Sequence, residues 1–180
     1  MNVDTGFGMV SEMSLGMASG SRPGAAPLLT HGCVLSAPLP DGVTAQDLCA
    51  GMEALLEPAR LEAALPDLAA ALAHARQAAQ APRTRLRVEF HLLAHGAHSA
   101  RARLVWVLLG PHEGPDNGAD NAADPPGPAR GRHMGPVLES VVTGTTIRPD
   151  FHHGLMASLL KATPPPPEFV AALAPQAGGQ

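Results

Sequence analysis

The sequence predicts an α+β domain in which a helical block packs on a small, mostly antiparallel sheet built around a hairpin at 84–109, with flexible termini. Three observations carry this. Residues 85–92 alternate strictly between polar and apolar, the mark of a half-buried strand, with Arg83 on the polar side before them. Residues 44–80 repeat their leucines at helical spacing, with prolines as punctuation. The 19 glycines and 19 prolines among 180 residues lie largely outside these two blocks, as expected of long irregular segments around a smaller folded part.

Residues 1–28 are rich in Gly, Ser and Met and read as a flexible N-terminal tail. Met9, Met13 and Met17 would share one helical face, but the glycines at 6, 8, 16 and 20 oppose a helix there. A single domain is expected over 29–165, a size typical of one hydrophobic core. It opens with a short apolar run, Cys33–Ala37, bounded by Gly32 and Pro38, which suits a brief buried strand. Thr44 with Asp47 three residues later marks a helix start, where a short polar side chain satisfies free N–H groups and an acid meets the positive end of the helix dipole. Leu48, Met52, Leu55 and Leu56 then fall on one face. Pro58 breaks that helix, and Pro66 opens another carrying Leu68 and Leu72.

The hairpin follows. Leu86, Val88, Phe90 and Leu92 form the apolar side of its first strand, and Ala102, Leu104, Trp106 and Leu108 that of its second. Both sets occupy even positions. They face one side only if paired residues sum to an even number, because a one-residue slip turns a face over. The bend must then hold an odd number of residues, Gly96–His98 or His95–Ser99. Phe90 falls opposite Leu104, Val88 opposite Trp106 and His91 opposite Arg103. The second strand is also apolar at Val105, Val107 and Leu109, so it is expected to be the more deeply buried of the two.

Residues 110–135 lack any apolar period and are expected to be a disordered loop. "PVLESVV" resumes strand-like content, and "HHGLMASLLKA" reads as a short helix. Residues 166–180 form a C-terminal tail with a short apolar helix. The proline run 164–167 either holds Phe169, Val170 and Leu173 out as a partner-docking ligand or lets them fold back onto the domain.

Several side-chain groupings invite a functional reading. His95 and His98 flank the hairpin bend, and with His152 and His153 they are the candidate metal ligands, although no HExxH, HxH or CxxC organises them. Arg83, Arg85, Arg87, Arg101 and Arg103 would share one side of the hairpin and could take an anion, an acidic peptide or RNA. Glu89 sits among them, no aromatic residue interleaves with them, and the formal net charge is −4, all of which argue against nucleic acid. Asp116, Asp120 and Asp124 are spaced four apart and do not fit a calcium loop. Cys33 and Cys49 define neither a disulfide framework nor a zinc knuckle. Asp150 beside His152 and His153 lacks a nameable nucleophile, and its place at a helix start is also that of a cap.

No catalytic set can therefore be named, and no cofactor is expected. The expected role is a small non-enzymatic adaptor, chaperone or assembly subunit acting through contacts with another protein, itself or a different one. No membrane span or secretory leader is read, so the cytoplasm is the expected location. The alternatives are a metal-binding protein or metal-dependent hydrolase using the histidines, and an anion- or RNA-binding module using the arginines.

Overall fold

The computed structural model describes residues 27–39, 41–78, 84–110, 129–141 and 149–174, with the backbone alone at 149 and 150. Strand β1 (Leu29–Leu35) is followed by three helices, α1 (Ala45–Leu55), α2 (Pro58–Ala64) and α3 (Pro66–Gln77). Then come β2 (Arg85–His95), β3 (Ser99–Leu109), β4 (Ala129–Met134), β5 (Leu138–Val141), α4 (Pro149–Ala162) and α5 (Pro167–Ala171). This is an α+β fold with a mostly antiparallel sheet, as the alternation and the helical spacing predict.

The helix boundaries follow from local chemistry. Thr44 caps α1 in a reciprocal box. Its hydroxyl accepts from the Asp47 N–H at 3.2 Å, while the Asp47 carboxylate accepts from the Thr44 N–H at 2.7 Å. Both α2 and α3 begin on a proline, where the missing N–H costs nothing.

The sheet order is β1-β2-β3-β4, with β5 also paired to β3. β1 runs parallel to β2 and the other pairings are antiparallel. Phe90 lies opposite Leu104, Val88 opposite Trp106 and His91 opposite Arg103, which is the register the even-sum argument demands. The odd-numbered bend expected from that argument does not form: four residues, Gly96–Ser99, separate His95 from its partner Ala100, and the Gly96 N–H donates to the Ser99 carbonyl at 2.8 Å. A bulge between Leu92 and Ala94 then shifts the pairing by one, so His95 sits opposite Ala100.

Even positions of β2 and β3 face the helices. Leu86, Val88, Phe90, Leu92, Leu104 and Trp106 are fully buried against Leu48, Met52, Leu68, Leu72, Met156 and Leu159. The Trp106 indole N–H donates to the Thr163 carbonyl at 2.8 Å, tying the middle of β3 to the end of α4. Odd positions form the opposite face, which carries Val105, Val107 and Leu109 as a second apolar cluster.

Three sequence expectations need amendment. The first strand occupies Leu29–Leu35 and not Cys33–Ala37. Residues 129–134, inside the stretch expected to be a disordered loop, form β4. An edge strand with exposed side chains needs no apolar alternation, which is why period reading misses it. Finally, Phe169 and Leu173 do not project as a free ligand. They are 8% and 0% exposed, buried in the main core, and α5 packs on α3. The methionine-rich tail, Arg83, the acidic run 116–124 and the Asp150 side chain lie outside the described residues.

Candidate functional site

The sheet face turned away from the helices combines charge with apolar surface. Alternation on β2 and β3 places Arg85, Arg87, Glu89, His91, Arg101 and Arg103 there, together with Val105, Val107 and Leu109. Glu89 is the hub. Its carboxylate accepts from His91 Nε2 at 2.9 Å and from Arg132 Nη2 of β4 at 3.1 Å, and lies 3.3 Å from Arg87 Nε. The hydrogen bond from His91, aided by the Arg87 and Arg132 charges, holds the Glu89 carboxyl below its usual range against the opposing effect of burial. The arginine face is therefore partly neutralised from within. Arg132 joins it from β4, inside the stretch expected to be a loop.

The margin of this face is formed by β4 and β5, which lie end to end along the same side of β3. Among the described residues, the large apolar side chains left exposed are Met134, Val137 and Val141, at 59%, 43% and 64%. All three lie on this margin. Scattered exposed apolar residues are ordinary on a soluble surface, whereas a set confined to one open sheet edge is not. Arg130, Arg132 and Glu139 are exposed along the same edge. An open edge also presents backbone N–H and C=O groups ready to pair with another chain.

The histidines are divided by the bulge in β2. His91 stays on the charged face, while the one-residue shift turns His95 to the helix side. There its ring stacks on that of His152, in the first turn of α4, with centroids 5.3 Å apart and planes at 26°. Phe151 meets His152 edge-on at 5.6 Å. His152 is 1% exposed, and neither of its ring nitrogens has a hydrogen-bond partner among the described residues. Burial, and for His152 also the neighbouring His95, lowers both imidazole pKa values.

His153 lines a shallow cavity of about 190 Å³ with His152, Asp47, Leu48, Gly51 and Met156. His98 is exposed in the bend. Thus the fold brings His95 to His152, a juxtaposition the sequence spacing cannot show. Near-parallel rings at this separation do not converge their nitrogens on one ion, and no group of three or more His, Cys, Asp or Glu among the described residues is placed to hold a metal.

Cys33 of β1 and Cys49 of α1 are free thiols, and burial, with Cys49 beside it, pushes the Cys33 thiol up. A raised pKa disfavours the thiolate that nucleophilic chemistry requires. Among the described residues no helix is long and apolar enough to cross a membrane. No known protein family, curated protein or solved structure matches the chain.

Proposed function

We propose that the protein is a small non-enzymatic adaptor, chaperone or assembly subunit that works through protein contacts made at the β4–β5 margin of its sheet. The observation that carries this reading is the confinement, among the described residues, of the exposed large apolar side chains, Met134, Val137 and Val141, to that one edge. The helices cover one face of the sheet, and β4–β5 is an outer strand of the other topological limit, away from β1. Apolar side chains, flanking charges and backbone groups without a strand partner among the described residues together make a surface suited to docking an extended segment or a second sheet edge.

The test is site-specific crosslinking. A photoreactive residue placed at Val137 or Val141 is expected to give a discrete adduct with a protein in the native host. The same group at exposed positions of the helical face, Glu62 or His74, is expected to give none. Adducts of equal yield from all four positions, or none from the margin, would overturn the proposal.

A further inference from the structure

The β4–β5 edge is complementary to itself, and we infer that its partner is a second copy of this chain, paired antiparallel along β4–β5 about a two-fold axis between residues 135 and 136. This inference rests on the reading of that margin as a contact surface and names what occupies it.

The argument starts from which backbone groups face outward. The Gly135 N–H donates to the Leu104 carbonyl at 2.9 Å, so Gly135 points inward toward β3. Backbone groups alternate along a strand, so Arg132 and Met134 present theirs to the open side, while Arg130 is the extra residue of a bulge opposite Leu108 and Leu109. A regular strand would continue this parity and turn the odd-numbered residues beyond inward. The strand is not regular. Val105 pairs with Met134 and Ala102 with Leu138, so three steps along β3 are matched by four along β4–β5. The extra residue in 135–137 is a bulge that reverses the parity. Ala102, like Leu104, faces β5, so Leu138 and Ser140 point inward and Glu139 and Val141 outward. The bulge is therefore what allows Arg132 and Glu139, seven apart in sequence, to present both their backbones and their side chains on equivalent sides. Arg132 lies opposite Val107 and Glu139 opposite Arg101, odd positions on the face away from the helices.

Two such edges related by a two-fold axis perpendicular to the sheet match outward groups to outward groups. Arg132 falls opposite Glu139 of the second copy, and Glu139 opposite its Arg132, on the same face. Met134 falls opposite Val137 beside the axis, two exposed apolar side chains together. The exposed pairs Arg132–Glu139 and Met134–Val137 are thus complementary in charge and in apolar character. Arg132 contacts Glu89 yet is 54% exposed, and its guanidinium has donors to spare. Glu139 makes no ion pair among the described residues. Pro136 lies at the axis, where its lack of an N–H leaves no donor unpaired. The product is one sheet running through both copies.

Sedimentation equilibrium of the purified full chain tests this. An interface limited to one edge predicts modest affinity, with a species of two 18.4 kDa chains dominant by about 100 µM. The two-fold axis repeats the charge pair, so Arg132→Glu or Glu139→Arg alone is expected to weaken association by about 30-fold or more. Glu139→Arg leaves the Glu89 cluster intact, and because its own-chain neighbour across the sheet is Arg101, the unfolding midpoint of the variant is measured alongside to separate that contact from the interface. The combined Arg132→Glu/Glu139→Arg chain restores the pair and is expected to dimerise within about threefold of the original. A chain that stays monomeric to about 500 µM, or a combined variant no better than the single ones, overturns self-pairing. The crosslinking experiment separates the two readings. Adducts from Val141 with a different protein, from a chain that is monomeric alone, sink the self-pairing and leave the contact surface standing. No adduct from the margin sinks both.

Discussion

Replacing Trp106 with phenylalanine tests how the sheet is joined to α4. Trp106 is 0% exposed, and its indole N–H donates at 2.8 Å to the carbonyl of Thr163, just past the end of α4. Phenylalanine keeps the apolar contact but removes the donor, leaving a carbonyl in a buried site without that partner, at a cost of about 1–3 kcal/mol. The smaller ring adds a void costing about 1–2 kcal/mol. Together these give about 3 kcal/mol, a loss of about 100-fold in the folded-to-unfolded ratio, or about 6–12 °C in Tm for a domain of this size. The assay is urea unfolding followed by far-ultraviolet circular dichroism, because the variant lacks the chain's only tryptophan. The midpoint is expected to fall with the slope unchanged. A loss under about 1 kcal/mol would show that the indole hydrogen bond does not couple β3 to α4 and would refute the packing described above.

Two further predictions use the same assay. An ideal Cβ on Gly135 would overlap the Thr163 methyl and hydroxyl, so Gly135→Ala is expected to cost about 1–3 kcal/mol, much of it recovered on adding Thr163→Ala, which removes both groups; a lack of recovery would place the strain elsewhere. Burial lowers the pKa values of His31, His95 and His152 from an ordinary 6.5, so the unfolded chain binds more protons than the folded one as the medium turns acidic. Their stabilising contribution is therefore full above about pH 6.5 and is lost as the pH falls through their lowered folded values, and His152→Phe should flatten that dependence; a midpoint unchanged between about pH 7.5 and 5 would contradict the burial of these rings.

The sequence by itself determined the elements whose chemistry is local. Thr44 and Asp47 define the start of α1, Pro58 and Pro66 divide the helical block, and alternation over 85–92 and 100–108 specifies the hairpin and its register. In each case the decisive residues are neighbours in the chain, or the strand period of two links them. Only the tertiary structure decided the rest. β4 is an edge strand with no apolar period, so nothing in "ARGRHM" distinguishes it from a loop until β3 is there to pair with it. The proline run before α5 is equally compatible with a projecting ligand, and it is the helical layer that takes in Phe169 and Leu173. Two one-residue bulges then rearranged the functional surfaces. The bulge at 92–94 sends His95 to the helix side against His152, and that at 135–137 turns Arg132 and Glu139 out along one edge. A bulge reverses the face of every residue beyond it, and its position is set by long-range pairing, so these juxtapositions could not be read from spacing along the chain.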